Sequence, residues 1–230
     1  TFTRRAALEM TRRAQKVMAE ALAAQSNSTT RVPDHLRLPW SGTFHSIGNR
    51  LLREYAPRLG LDPGFSVLDR GDAADLMDVV RHRLGYSKTV KRFPRKDTCL
   101  GIYSLRVNTQ RPLQHMLETA YPWCLDWEEQ LTALCRAYVE AKLEQQVLDY
   151  DDLLLYWHVM TADPALAAEI GSRFDHVLVD EYQDTNVVQA EILLRLKPDG
   201  AGLTVVGDDA QSIYSFRAAE VRNILDFPGL

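Results

Sequence analysis

The stretch FDHVLVDEYQDTN, residues 174–186, carries a short apolar run straight into acids and amides. Val177-Leu178-Val179 reads as a strand, and Leu203-Thr204-Val205-Val206 reads as a second, both short and rich in β-branched residues. The helical segment VVQAEILLRL (187–196) lies between them. A strand, a helix and a strand in this order predict a βαβ unit with parallel, buried strands. Ligands of such sheets bind beyond the carboxyl ends of the strands. Both strands end in acids: Asp180 and Glu181 after the first, Asp208 and Asp209 after Gly207 in the second.

Acids at that edge suit phosphoryl transfer to water. A hard Mg²⁺ ion takes one or two carboxylates and keeps most of its waters, which one acid at a strand end satisfies. A second acid next to it orients or deprotonates the attacking water. Asp180 is therefore assigned to Mg²⁺ and Glu181 to the water. The phosphate-cradling loop G-x-x-x-x-G-K-[ST] is missing, since no Gly-Lys pair occurs anywhere in the sequence. A plainer role also exists for neighbouring polar residues, because Asp184 or Asn186 suits the N-cap of the next helix.

Working outward, the 230 residues are 46% apolar and 25% charged, enough for one large domain or two small ones with real cores. No run approaches the ~18 consecutive apolar residues of a membrane span, and no signal pattern opens the chain. Cys99, Cys124 and Cys135 are odd in number and lack C-x-x-C spacing, which fits a reducing, cytoplasmic setting rather than a disulfide framework. The first residue is Thr, which predicts that an N-terminal part precedes it. The net charge of −4 hides an asymmetry: residues 1–60 sum to +6, residues 81–111 to +8, and the remainder to −18. Two basic blocks on an acidic chain suit a polyanion such as DNA, although Arg-rich helices also carry basic faces simply for solvation.

Periodicity predicts an amphipathic helix over Arg4–Ala24, with Leu8, Val17, Met18 and Leu22 as its apolar positions, and another over about His45–Leu59. Further helices are expected in DRGDAADLMDVVRHRLG, after the basic connection KTVKRFPRKDTCLG, and from Trp127 to His158. Trp123, Trp127 and Trp157 are expected in the core. His35, His82, His115, His158 and His176 show no metal spacing and are read as structural.

Together, VDEYQDTN (179–186) and VGDDAQSIYSFRAA (206–219) resemble motifs II and III of the UvrD, Rep and PcrA helicases of superfamily 1. Upstream, TFTRRAALEM (1–10) resembles motif Ia, GTFHSIGNRLLREY (42–55) the next DNA-contacting motif, and DYDDLLL (149–155) the re-entry into the motor domain. The resemblance covers essentially the whole chain, although residues 67–146 share only a helical character. It implies an α/β fold: a partial RecA-like P-loop NTPase motor domain, residues 1–66 and 147–230, with a parallel sheet and an inserted all-helical domain, residues 67–146. The phosphate loop would precede motif Ia, and a second motor domain with an arginine finger would follow residue 230.

By the same resemblance the cofactors are ATP and Mg²⁺, the partners single-stranded DNA and a duplex junction, and the activity 3′-to-5′ DNA translocation in repair or replication. Asp180 and Glu181 keep the roles above, Asp208 and Gln211 bind the nucleotide, and Gln211 senses its terminal phosphate. An amide suits sensing because it offers both donor and acceptor. Phe2, Tyr214 and Phe216 would stack on bases, each worth roughly 1–3 kcal/mol without regard to sequence. Phe216 stands where the family usually has Trp, and Ser215 where Gly is common. Arg217 would link nucleotide to DNA through charge-assisted bonds, and Thr43 and His45 would contact the phosphate backbone. The three aromatics have core packing as their rival role, and His45 a structural hydrogen bond. Two other classes stay open. The 230 residues alone, inactive towards ATP, suit a DNA- or partner-binding module. Asp180, Glu181, Asp184, Asp208 and Asp209 would be the acids of a metal-dependent nuclease.

Overall fold

The structure, a computed structural model, describes residues 3–26, 38–212 and 218–227. Helix α1 spans Arg4–Ser26 and leaves Leu8 and Val17 exposed while Met18 is half-buried, so the apolar stripe that the sequence pattern predicts is covered only in part. Helix α2, Phe44–Tyr55, starts where the Thr43 hydroxyl accepts the Ser46 N–H at 3.2 Å. It stops earlier than periodicity alone predicts. Pro57 tightens Ala56–Leu59 into a 3₁₀ turn, and Gly60 comes next with φ +69°.

Strand β1, Ser66–Val67, pairs in parallel with β2, Val147–Leu148, and the segment between them is helical. Helix α3 (Arg70–Arg83) is capped by Asp69, and α4 (Lys96–Thr109), α5 (Leu113–Thr119), a 3₁₀ turn over Pro122–Trp127 and α6 (Glu128–Glu144) come after it. Met77, Ile102, Leu117, Leu131, Leu134 and Tyr138 form the centre of this helical cluster. Burying each aliphatic side chain contributes about 1.5–3 kcal/mol. Trp127 packs against the cluster and Trp157 is buried elsewhere, but Trp123 is 68% exposed, in a T-shaped contact with Tyr121 at 5.6 Å. Apolar composition alone does not say which side of a 3₁₀ turn faces in.

The helix expected over Trp127–His158 is two helices. Gln146 adopts φ +53°, β2 intervenes, and the Asp149/Asp152 capping box restarts the chain as α7, Tyr150–Ala162. Helix α8 (Pro164–Gly171), strand β3 (Val177–Val179), α9 (Val187–Leu196), strand β4 (Leu203–Val205) and α10 (Arg222–Asp226) complete the order. A second core joins α2, α7, α8 and α9 through Leu51, Leu154, Trp157, Ile170, Val188 and Ile192.

Strands β3 and β4 are parallel, with Val177 opposite Leu203 and Val179 opposite Val205, and α9 crosses between them. Gly202 feeds β4 with φ +77°, and a Cβ there would lie 2.2 Å from the Asp175 carbonyl oxygen, so only glycine fits. The strands are buried on one face only. Val179 packs with Tyr182 and Leu193, whereas Leu178 is 66% and Val206 60% exposed, which corrects the expectation of strands buried on both faces. Among the described residues no helix is long and apolar enough to cross a membrane. The three cysteines are buried free thiols, and burial pushes Cys99 up to about 12 and Cys135 up to about 11.

Candidate functional site

The carboxyl edge of β3–β4 is closed by two backbone bonds, Val206 N–H to the Val179 carbonyl at 2.8 Å and Tyr182 N–H to the Val206 carbonyl at 3.0 Å. Asp180 and Glu181 sit inside that closure. Glu181 has φ +56° and ψ +44°, a left-handed conformation that costs a residue with a side chain roughly 1–3 kcal/mol and recurs at functional sites. Residues 182–189 hold this strain in place. Tyr182 is fully buried against Phe227, and the Thr185 hydroxyl and N–H both donate to the Tyr182 carbonyl, at 2.6 and 3.1 Å. Asn186 and Gln189 then cap α9 reciprocally.

Across the edge, the Asp208 carboxylate accepts the Ala210 N–H at 3.0 Å and the Gln211 Nε2 at 2.7 Å, which folds residues 209–211 into a 3₁₀ turn. Gln183 joins the two sides. Its Nε2 donates to Glu181 Oε2 at 2.7 Å, and its Oε1 accepts the Asp208 N–H at 3.0 Å. Glu181, Asp208 and Gln211 are thus one connected set, and Asp180 directly precedes Glu181 in the chain. Asp184 stands behind it, its carboxyl raised above the usual range by burial and by the charge of Glu181, and its Oδ1 has no partner among the described residues.

Asp180 is half-buried, and its carboxylate makes no hydrogen bond or ion pair with any described residue. That leaves it available to a hard cation that needs only one or two protein carboxylates. Among the described residues no three His, Cys, Asp or Glu stand where they could hold one metal ion between them.

Thr43 spends its hydroxyl on the α2 cap. His45 lies edge-on to Tyr150 at 5.8 Å, and burial lowers its pKa to about 4, so at neutral pH it offers a neutral ring and no cation. Phe2, Tyr214, Phe216 and Arg217 lie outside the described residues. In the basic block, Lys91 pairs with Asp126 and Lys96 with Asp75, whereas Lys88, Arg92 and Arg95 are exposed and make no ion pair with any described residue. Arg81, Arg92, Arg95 and Lys96 line an open cleft of about 540 Å³ together with Asp78 and Asp97.

Contacts that sequence reasoning passed over tie this site to the helical cluster and to α10. Asn186 Nδ2 donates to Asn108 Oδ1 at 2.6 Å, and Asn108 Nδ2 donates to Asp151 Oδ1 at 2.7 Å. Asn223 Nδ2 donates to the carbonyls of Thr185 and Asn186, at 3.0 and 3.2 Å. These partners are 37 or more residues apart, so no local signal announces them.

Residues 1–229 match the family described as the UvrD/REP helicase N-terminal domain. The chain belongs to the UvrD/REP helicase family. Among its relatives, the ATP-dependent DNA helicase PcrA of Staphylococcus aureus is 30% identical over 230 residues, covering 99% of this chain and 28% of that protein. DNA helicase II of Escherichia coli is 31% identical over 234 residues, covering 100% of this chain and 30% of that protein. The chain therefore spans less than a third of the curated relatives it matches. Residues 179–186 and 206–212, within the two segments that resemble motifs II and III of this family, lie at the edge where β3 and β4 end.

Proposed function

We propose that this chain forms part of an ATP-dependent DNA helicase that translocates 3′ to 5′ on single-stranded DNA. Residues 1–66 and 147–230 contribute a partial RecA-like motor domain, and residues 67–146 a helical insertion. The observation that carries the reading is the connected set Glu181–Gln183–Asp208–Gln211 at the edge of a parallel sheet in a UvrD/REP family chain. Bound Mg²⁺ would neutralise phosphate charge, with Asp180 as its protein ligand. Glu181 accepts the proton of the attacking water. Gln211, held by Asp208, presents an amide that changes partners when the terminal phosphate leaves.

The test is directional unwinding by the protein as encoded, using ATP and duplexes tailed at either end. Unwinding from 3′ tails is expected; unwinding from 5′ tails alone overturns the polarity, and none from either overturns the motor. The absence of any Gly-Lys pair favours a second reading for the 230 residues by themselves, a module that binds DNA without turnover. Lacking the groups that neutralise the phosphates, they are expected to hydrolyse ATP at the background rate.

The basic block is assigned to duplex phosphates. Because Lys91 and Lys96 are already paired, Lys88, Arg92 and Arg95 carry the contacts. Neutralising those three is expected to flatten the dependence of log affinity on log salt by about 0.9 per contact, roughly three units in all. Neutralising Lys91 and Lys96 should change the slope less. Salt titrations with labelled duplex check this, and an unchanged slope in the triple variant makes the block a solvated face.

A further inference from the structure

Gln183 is 1% exposed and uses both ends of its amide, yet the chemistry above gives it no task. The Glu181 carboxylate has Gln183 as its one hydrogen-bond partner among the described residues, at 2.7 Å. With Glu181 in a left-handed conformation, neither strand nor helix geometry fixes where its side chain points. The other end of the amide holds the Asp208 N–H, the first bond of the turn that presents Gln211. Gly207 makes room for this, since a Cβ there would lie 2.4 Å from Gln183 Oε1.

We infer that Gln183 is a positioning residue that aims the Glu181 carboxylate at the attacking water and binds it to the Asp208–Gln211 turn, so that the two sides of the site move as one. This rests on the reading of Glu181 as the residue that activates water. The residue type is dictated by the two bonds. One end must donate to a carboxylate and the other must accept a backbone N–H, which glutamine does at this length. Glutamate would set two carboxylates face to face, and methionine would keep the volume but neither bond. A displacement of Gln211 on loss of the terminal phosphate passes through Asp208 and Gln183 to the catalytic carboxylate.

Two measurements test it. In the 230-residue chain, proton–nitrogen NMR of the Asp208 amide is expected to shift on Glu181→Gln, and to lose that response in a Gln183→Met background. A purely structural Gln183 leaves the response equal in both backgrounds, which overturns the bridge. In the protein as encoded, Gln183→Met is expected to lower kcat for DNA-stimulated ATP hydrolysis about 100-fold with KM unchanged, as a misplaced catalytic group does. Gly207→Ala, which keeps Gln183 but crowds its Oε1, should lower kcat in the same direction, and serves if Gln183→Met does not fold. Unchanged kcat in the variants overturns the positioning role. Full turnover in Glu181→Gln overturns instead the role of Glu181 on which the inference rests, and the NMR coupling reports on the bridge separately.

Discussion

Lys142→Met is expected to destabilise the folded chain by about 3–5 kcal/mol at neutral pH, the usual cost of removing one partner from a buried ion pair. The Lys142 ammonium, only 2% exposed, lies 2.8 Å from Asp149 Oδ2, 2.6 Å from Asp152 Oδ2 and 3.1 Å from the Tyr103 hydroxyl. It also sits over the rings of Tyr103 and Tyr138, at 4.8 and 4.5 Å from their centroids. Methionine keeps the volume but leaves two buried carboxylates facing each other. Those carboxylates are also the capping box of α7, so the damage reaches the helix that packs between α2 and α9. Lys142 is on the last helix of the helical cluster, and its loss loosens the joint between the two cores.

The pH dependence separates this mechanism from simple loss of packing. Burial, and then the charge of Asp149, raise the Asp152 carboxyl above the ordinary range. A carboxyl raised in the folded state binds more protons there than in the unfolded chain, so its contribution to stability falls as pH climbs above the ordinary aspartate value of about 3.9. The Lys142 ammonium opposes this by favouring the ionised carboxylate, and without it the slope steepens. Urea unfolding at about pH 5 and about pH 8 should therefore show Lys142→Met partly recovering on the acid side. Lys142→Met with Asp152→Asn should be less damaging than the single change. A loss below about 1 kcal/mol, or one equal at both pH values, sinks the assignment of a charge-dependent joint.

The parts of this architecture that were legible in the sequence are those fixed by local physics. The runs 177–179 and 203–206 announce strands because β-branched residues and turn signals bound them, and they do pair in parallel. The stretch DRGDAADLMDVVRHRLG announces a helix, and Asp184 or Asn186 the start of another; Asp69 caps the first by accepting the Asp72 N–H, and Asn186 rather than Asp184 caps the second by accepting the Gln189 N–H. What stayed hidden depends on the third dimension. No Gly or Pro marks the break at Gln146, where an ordinary residue takes a positive φ. Lys91 and Lys96 look like free cations until the fold brings Asp126 and Asp75 beside them. The acids of the site were visible as residue types, but Glu181 is set by a left-handed turn and by Gln183, and neither has a signature in composition or period.

Glu181→Gln, in the protein as encoded, is expected to lower DNA-stimulated ATP turnover by about 10²- to 10⁴-fold, the range a positioned general base contributes. The substitution is nearly isosteric, and its amide oxygen still accepts from Gln183 Nε2, the bond that holds the carboxylate at 2.7 Å. Backbone geometry and the Asp208 contact are therefore retained, and single-strand affinity and the melting temperature should stay close to those of the parent. On the role proposed for Glu181, what is lost is the capacity to take a proton from water. Asp180→Asn should behave differently. Its carboxylate has no described protein partner to lose, so its deficit should lie in Mg²⁺-dependent nucleotide binding and be partly relieved by raising the Mg²⁺ concentration. Steady-state turnover and Mg²⁺ titration of both variants, with labelled single strands as the binding control, separate the two roles. If Mg²⁺ rescues Glu181→Gln and not Asp180→Asn, the assignments are reversed. If both variants turn over ATP as the parent does, the acids at this strand end are structural and hydrolysis takes place elsewhere.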